Sequence, residues 1–228
     1  MAALPTVPRA WSSVELPGYR EHPVSATYSA FDYLQLPPIE RKLDDDLSWL
    51  REQSPVRGSL GAPAGSSDPV PARAATREQL DGLIGDRLIT PPRSFAIFIG
   101  DPVPRTRVRS TTLAYLDLGE FLVDVAGGGS LIHFLSDQQW VLHWLLFVGV
   151  DGSQAVVVTD VPFGFADDEK THRLFDPERR EAQVCAESFS EFLYRFWIEN
   201  EIWLRARDRK SEPPLTDEQR AYAEHYLR

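Results

Sequence analysis

One segment restricts the possible folds of this chain more than any other, the run WVLHWLLFV at Trp140–Val148. In an extended strand, successive side chains point to opposite faces of a sheet. Both faces of this strand are apolar, with Trp140, Leu142, Trp144, Leu146 and Val148 on one and Val141, Leu145 and Phe147 on the other. A strand of this kind lies at the centre of a sheet that is covered on both sides. The segment therefore predicts a layered fold built around this strand.

Two further strands flank the central one. Ser130–Ser136 precedes it, and Gln154–Asp160 follows it after the turn signal Asp151-Gly152. Because the connections are short, the neighbouring strands are predicted to be antiparallel. A further strand is predicted upstream at Thr111–Leu118. Together these segments predict an antiparallel β-meander.

Helix signals occur before the meander. Thr76 and Gln79 have capping-box spacing, and Gly85 stands where the helix that they open would end. The run PPRSFAIFIGD predicts a second short helix that stops near Gly100. Further upstream, PPIERKLDDDLSWLREQ places leucines at helical spacing, which predicts a helix that starts at Pro38.

The strongest helix signal lies after the meander, in FSEFLYRFWIENEIWLRAR. Ser188 and Glu191 have capping-box spacing at its start, and its apolar stripe is predicted to pack on the sheet. A last helix, capped by Thr216 with Gln219, is predicted at the periphery.

This order of elements predicts the fold class α+β, an antiparallel sheet packed against helices. The domain is expected over residues 76–206, preceded by an extension at 1–75 and followed by a peripheral helix at 207–228. Residues 1–38 are rich in proline and aromatic side chains. They are interpreted as an arm over the body or as a partner-binding disordered tail. Residues 54–75 are rich in Pro, Gly, Ser and Ala, which is typical of a linker.

Charge and composition argue against several classes of function. The formal net charge is −10 and the pI is about 5.0, so direct binding of nucleic acid is not expected. The one basic cluster in mid-chain is Arg105, Arg107 and Arg109, which would share one face of an extended backbone. It is interpreted as exposed side chains on a loop, with contact to an anion or an acidic partner as the alternative. A single cysteine, Cys185, forms no intramolecular disulfide and is expected to be buried. No signal peptide or membrane span is recognised, and we expect a cytoplasmic protein.

Two histidines in the meander are candidates for chemistry. If Gln138 and Gln139 form a two-residue turn, His133 faces Trp144, and His143 lies on the opposite face of the sheet. One more residue in the loop would change this relation. Metal binding needs three or four converging ligands, and no third ligand is apparent. No metal and no cofactor are therefore expected.

Hydrolytic sites receive little support. The nucleophile pattern G-x-S-x-G is absent, and GGGSLIH supplies only a serine and a histidine three residues apart. The acidic runs at 44–46 and 167–169 are typical of solvated surfaces. An enzyme whose site lies around His133 and Asp137 stays an alternative.

Three segments resemble the SUKH superfamily. PPRSFAIFI is similar to the short P-x-S-[FY]-x-x-F helix near the start of that domain. LIHFLSDQQWVLHWLLFVGVDGSQAVVVTD resembles its central meander, and VCAESFSEFLYRFWIENEIW its closing helix. The resemblance covers residues 88–205, although IGDPVPRTRVRS stands where the family typically has Asn-Gly.

The resemblance implies an α+β binding module rather than an enzyme. Many bacterial members are immunity proteins that neutralise a toxin, often a nuclease. An acidic surface suits a basic partner of that kind. We expect a protein partner, no membrane, and contacts from exposed turns and loops. The candidate contact residues are Asp137, Gln138, Trp140, Asp167, Asp168 and Glu169. A structural adaptor that uses the arm at 1–38 is a further alternative.

Overall fold

The computed structural model describes residues 36–60, 75–165, 174–175, 182–207 and 212–224. The described part is an α+β fold, as the sequence predicts, in which a largely antiparallel sheet is packed against helices. The predicted arm at 1–38 lies almost entirely outside the described residues, as does most of the predicted linker. No described helix has the length and apolar character needed to cross a membrane.

The described elements follow one another in the order helices, sheet, long helix, short helix. The helices are α1 (Ser48–Arg51), α2 (Arg77–Ile84), α3 (Arg93–Gly100), α4 (Pro102–Arg105), α5 (Phe189–Arg207) and α6 (Asp217–Glu224). The strands are β1 (Tyr115–Leu116), β2 (Val123–Val125), β3 (Ser130–Ser136), β4 (His143–Val148), β5 (Gln154–Thr159), β6 (Leu174–Phe175) and β7 (Ala182–Ala186).

The sheet has the strand order β6-β2-β3-β4-β5-β7, and β1 pairs with β3 beside β2. Strands β3, β4 and β5 form the predicted antiparallel meander. β7 continues it antiparallel, whereas β6 pairs parallel to β2. β1 and β2 pair with opposite ends of β3, so residues 117–122 interrupt what would otherwise be one edge.

Strand β4 is buried along its whole length because apolar layers cover both faces of the sheet. Trp144, Leu146 and Val148 of this strand pack in the core on the helix side of the sheet. The opposite side takes up Leu145 and Phe147. The alternation predicted from the sequence is therefore confirmed, and β4 is a central strand.

Aromatic rings join the long helix to the sheet. Phe189 of α5 lies 5.0 Å from Phe95 of α3 and 5.5 Å from Phe134 of β3, measured between ring centroids. Phe192 lies 5.4 Å from Phe134 in an edge-on arrangement. Such edge-to-face contacts add to the burial of the rings themselves, so α5 is held on the meander as predicted.

Local signals at the helix ends are also confirmed. Thr76 and Gln79 form the predicted capping box of α2, and Gly85 ends that helix. Thr216 and Gln219 form the same reciprocal pair of hydrogen bonds at α6. Each of these side chains accepts a hydrogen bond from a backbone N–H group three residues away, so the sequence alone is enough to locate the caps.

Three predicted element bounds are wrong. The helix predicted from Pro38 is only the single turn α1, and Leu47 enters it with a φ of 59°. The strand predicted at 111–118 is reduced to Tyr115–Leu116. The central strand starts at His143 rather than at Trp140, because residues 137–142 form a loop.

The basic cluster is engaged with the protein rather than exposed on a loop. Arg105 donates to the carbonyl of Ala75, and Arg107 donates to that of Gln53. Arg109 donates through both sides of its guanidinium group, to Glu201 of α5 and to Glu212. Backbone turns at 101–107 remove the alternation that an extended chain would give, so the expectation of exposed arginines was wrong.

Cys185 is buried in β7, as predicted, and its thiol donates to the carbonyl of Val156 at 3.4 Å. Burial raises the pKa of the Cys185 thiol well above its ordinary value. The thiol is thus held in its protonated form.

Replacing Arg109 with Gln tests how far α5 depends on this guanidinium. Glu201 is buried, and among the described residues it would keep Arg205 as its charged partner. Removing one member of a buried ion pair costs about 3 kcal/mol. We expect the free energy of unfolding, measured by urea denaturation, to fall by about that amount.

The matched control is Arg77→Gln, which removes the exposed pair between Arg77 and Asp81. That change should cost less than about 1 kcal/mol. Equal losses in the two variants would contradict a special role for Arg109.

Candidate functional site

A β-bulge in β3 rearranges the two histidines. His133 pairs with Leu145, but Leu135 pairs with Trp144, so Phe134 is an extra residue in β3. One extra residue reverses the alternation of side chains beyond it. Ser136, the partner of His143, therefore lies on the same face as His133, and the two imidazole rings are 5.2 Å apart.

The prediction that the histidines lie on opposite faces is wrong. It assumed a two-residue turn at Gln138 and Gln139 and regular pairing. The connection instead comprises six residues, Asp137–Leu142, which we call the β3–β4 loop. Neither the bulge nor the loop length has a local sequence signal of the kind that a capping box gives.

Asp137 holds the β3–β4 loop closed. Its main-chain N–H donates to the carbonyl of Leu142 at 2.9 Å. Its Oδ1 atom accepts from the N–H groups of Val141 and Leu142 at 2.7 and 3.0 Å. A carboxylate that accepts two backbone donors fixes a turn strongly. Trp140 adopts a φ of 58° within this frame.

The interrupted edge at 117–122 leaves room for His133. The N–H of Gly119 donates to the carbonyl of His133 at 3.3 Å. A Cβ atom at Gly119 would lie 3.0 Å from the carbonyl oxygen of Gly164 and 3.2 Å from the Cβ of His133. Glycine is therefore required for this close approach.

The hydrogen bonds of the two histidines run in one direction. Nδ1 of His133 lies 3.0 Å from the carbonyl oxygen of Phe163, which only accepts. In the neutral ring, Nδ1 of His133 is then the donor and Nε2 the acceptor. The Ser136 hydroxyl, 2.8 Å from Nε2, therefore donates to it.

The direction continues to His143. Because Ser136 has already donated its one proton, its oxygen accepts from Nδ1 of His143 at 3.1 Å. His143 thus carries its proton on Nδ1, and its Nε2 atom is an unprotonated acceptor. We call His133, Ser136 and His143 the imidazole relay.

Burial keeps both rings of the relay neutral. Burial, with the neighbouring His143, lowers the pKa of His133 to about 3. Burial likewise lowers the pKa of His143 to about 4, although the Asp137 carboxylate and the main chain of Trp140 act in the opposite sense. Such rings are suited to hydrogen bonding in a fixed tautomer rather than to taking up protons near pH 7.

Two buried acceptors beside the loop lack a donor among the described residues. They are Nε2 of His143 and Oδ2 of Asp137. Buried polar atoms are nearly always hydrogen-bonded, and an unpaired one costs about 1–3 kcal/mol. Both atoms belong to the frame that carries Trp140.

Above the relay lies an exposed apolar surface. The indole of Trp140 is 40% exposed, and it packs against His143 at 4.7 Å and Phe165 at 5.1 Å between ring centroids. Val141 is 44% exposed and Leu113 53% exposed. The carbonyl of Thr112 accepts from the N–H of Gln138, which brings Leu113 beside the loop. We call Leu113, Trp140 and Val141 the tryptophan patch.

Among the described residues around the tryptophan patch, the charge is negative or neutral. Gln138 and Gln139 are exposed, and so is Asp160, which follows the β5 residue paired with His143. The described segments 111–115, 137–142 and 159–165 contain no lysine or arginine.

The predicted contact residues fall into three groups. Gln138 and Trp140 are exposed, whereas Asp137 is buried, with one oxygen engaged in the loop. Asp167, Asp168 and Glu169 lie outside the described residues. The roles of these residues as contacts stay predictions.

The residues named for an alternative enzyme site are arranged differently from a serine-hydrolase triad. Nδ1 of His133 meets a carbonyl group, and the described bonds of the Asp137 carboxylate go to the loop rather than to His133. Ser136 is fully buried. Within the described ranges, no cluster of three or more His, Cys, Asp or Glu residues is placed to hold a metal ion.

Sequence reasoning missed Ser136, Leu113 and Val141. The regular alternation of a strand would place Ser136 on the face opposite His133, and the bulge reverses this. Leu113 and Val141 were counted within strands, where an apolar residue is expected to be buried. The one available signal was the polar pair Gln138-Gln139, which marks a turn at which neighbouring apolar residues become exposed.

A separate cavity of about 590 Å³ lies between α2 and residues 118–122. Arg87 and Asp124 pair across it at 2.6 Å. Its lining includes no buried polar side-chain atom without a partner, so the loop and its relay are the stronger candidate site.

Comparison of the chain with family models, with curated proteins and with solved structures finds no match.

The relay predicts a pH dependence of stability. Each histidine has a pKa near 6.5 when unfolded and a much lower one when folded. Between these values the unfolded chain binds more protons, so stability falls as the pH is lowered through 6.5 towards 4. From pH 7 to 5 the loss is about 2 kcal/mol for each ring.

The variant His143→Asn isolates this effect, because the amide N–H can replace Nδ1 as donor to Ser136 but does not titrate. We expect the decrease in the free energy of unfolding between pH 7 and pH 5 to be about 2 kcal/mol smaller in this variant than in the parent. Urea denaturation at the two pH values measures it. Gln139→Ala, in the same loop, should retain the full loss. An unchanged loss in His143→Asn would contradict a buried neutral His143.

Proposed function

We propose that the chain is a non-enzymatic protein-binding module whose partner docks on the tryptophan patch. The observation that carries this proposal is the half-exposed indole of Trp140, held above a buried hydrogen-bonded frame. Tryptophan is enriched among residues that dominate binding energy, and rigid aromatic anchors lose little entropy on docking.

Backbone conformation supports the same surface. Trp140 and Leu113 adopt φ values of 58° and 53°, in the left-handed region that side chains other than glycine and asparagine disfavour. Both side chains are apolar and exposed. Strained residues that gain little burial are typical of functional sites rather than of packing.

Charge supports a basic partner. The chain has a formal net charge of −10, and Asp160 is exposed at the same end of the sheet as the patch. Complementary charge accelerates encounter and excludes other acidic proteins. In the light of the SUKH resemblance, the proposed role is that of a cytoplasmic bacterial immunity protein that occludes a basic toxin, or of a related regulatory factor.

Site-specific photocrosslinking tests this proposal. Gln139 is exposed beside Trp140. In the full chain it is replaced with the photoreactive residue p-benzoylphenylalanine, and native cells that express this variant are irradiated. We expect one basic protein to be captured, identified by mass spectrometry, and to bind the purified chain. The additional exchange Trp140→Ala should abolish capture, because it removes the anchor.

The control places the same photoreactive residue at Leu88, which is 91% exposed and lies after α2. Equal capture from both positions would contradict docking at the patch. So would capture that survives the exchange of Trp140, or a partner that is acidic.

Leu113→Asn separates binding from stability. Asparagine tolerates the left-handed region better than leucine, and the relief of strain offsets the lost burial of a half-exposed side chain. We expect the free energy of unfolding to stay within about 1 kcal/mol of the parent value while capture at position 139 decreases. Loss of stability together with undiminished capture would show that Leu113 serves packing.

A further inference from the structure

We infer that the β3–β4 loop binds the cationic side chain of an arginine or lysine from the partner, between the Trp140 indole and the acceptor atoms of Asp137 and His143. This inference rests on the proposed docking at the tryptophan patch and names the chemistry of its anchor. Two buried acceptor atoms of the site, Oδ2 of Asp137 and Nε2 of His143, lack a donor within the described ranges.

The first step is the state of His143. The relay directs its single proton to Ser136, which leaves on Nε2 a lone pair that meets no donor from the described residues. This follows from the carbonyl of Phe163, which fixes the tautomer at the far end of the relay. An incoming N–H group is therefore the kind of group that His143 can accept.

The second step is the carboxylate of Asp137. Its Oδ1 atom holds the loop through two backbone N–H groups, whereas Oδ2 is buried and no residue in the described ranges donates to it. The loop ends meet through the bond from the N–H of Asp137 to the carbonyl of Leu142, next to His143. A buried carboxylate oxygen gains most from a charged donor.

The third step is the indole. Trp140 stands edge-on to His143 with an interplanar angle of 78°, and its exposed part faces solvent. An indole face attracts guanidinium and ammonium groups. Both acceptor atoms are buried, so a bound cation requires Trp140 to move, and its left-handed φ of 58° lowers the cost of leaving the present conformation.

Together these features select a cation over a neutral group. No lysine or arginine of segments 111–115, 137–142 or 159–165 competes for the acceptors. Both Asp137 and the main chain of Trp140 favour added positive charge at the imidazole of His143. The cation would supply that charge from the partner while the ring itself remains neutral.

The test uses two small probes on the full chain, N-acetylarginine amide and N-acetylcitrulline amide. They have nearly the same shape and both donate N–H groups, but only the first is charged. Imidazole nitrogens labelled with ¹⁵N report on His143 directly. We expect the ¹⁵N chemical shift of Nε2 of His143 to be that of an unprotonated nitrogen at pH 7.5, and to change saturably as the arginine probe is added. The arginine probe should bind about tenfold more tightly than the citrulline probe.

Matched variants locate the response. Asp137→Asn keeps an oxygen for the loop but removes the charge, and it should reduce binding of the arginine probe to the level of citrulline. Gln139→Ala should bind as the parent does. If Asp137→Asn does not fold, His143→Asn removes the Nε2 acceptor instead, and binding of the arginine probe, measured by isothermal titration calorimetry, should fall to the level of the citrulline probe.

Equal binding of the two probes, a response confined to other residues, or a shift produced by Zn²⁺ but not by arginine would overturn the inference. If a partner is still captured at position 139 in any of these cases, the proposed docking at the tryptophan patch holds, but its anchor is not a cation in the β3–β4 loop. An arginine-specific response without photocapture would retain the cation site and refute protein docking.

Discussion

The extra residue at Phe134 in β3 is the constraint on which both sides of the sheet depend. On the helix side, it lets Phe134 and Leu135 enter the same core, where Phe134 meets the rings of α5 and α3. On the other side, it places Ser136 beside His133. A regular strand would send Ser136 into the aromatic core and leave His143 without the partner that orients it.

This arrangement links the packing of the core to the shape of the exposed loop. The long helix fixes β3 through Phe134, and β3 fixes the relay through His133 and Ser136. The relay and Asp137 then hold the frame from which Trp140 projects. Such a chain of buried contacts pre-organises an exposed residue, which reduces the entropy lost when a partner docks.

The sequence predicts those parts of the fold whose causes are local or strictly periodic. Period-two alternation places β4, and capping residues place α2 and α6. The stripe of α5 likewise follows from residues close together in the chain. These features need no knowledge of the tertiary neighbours.

The candidate site is less accessible to such reasoning because it depends on an irregularity. A bulge is selected by packing on both faces at once, and a single residue shifts the side of every later one. The turn at Gln138-Gln139 was recognised, but its length was not, so Trp140 was assigned to a strand. The direction of the relay depends on the Phe163 carbonyl, thirty residues away from His133 in the chain.

The thiol of Cys185 is unreactive in the folded protein. Its sulfur lies in β7 beneath α5, and its raised pKa disfavours the thiolate that alkylating reagents attack. Modification therefore requires β7 to separate from its neighbours, so the rate of thiol labelling counts the openings of this edge of the sheet. Labelling of Cys185 therefore measures transient opening of the core in the native chain. A cysteine introduced on the surface would be labelled with almost no background from Cys185.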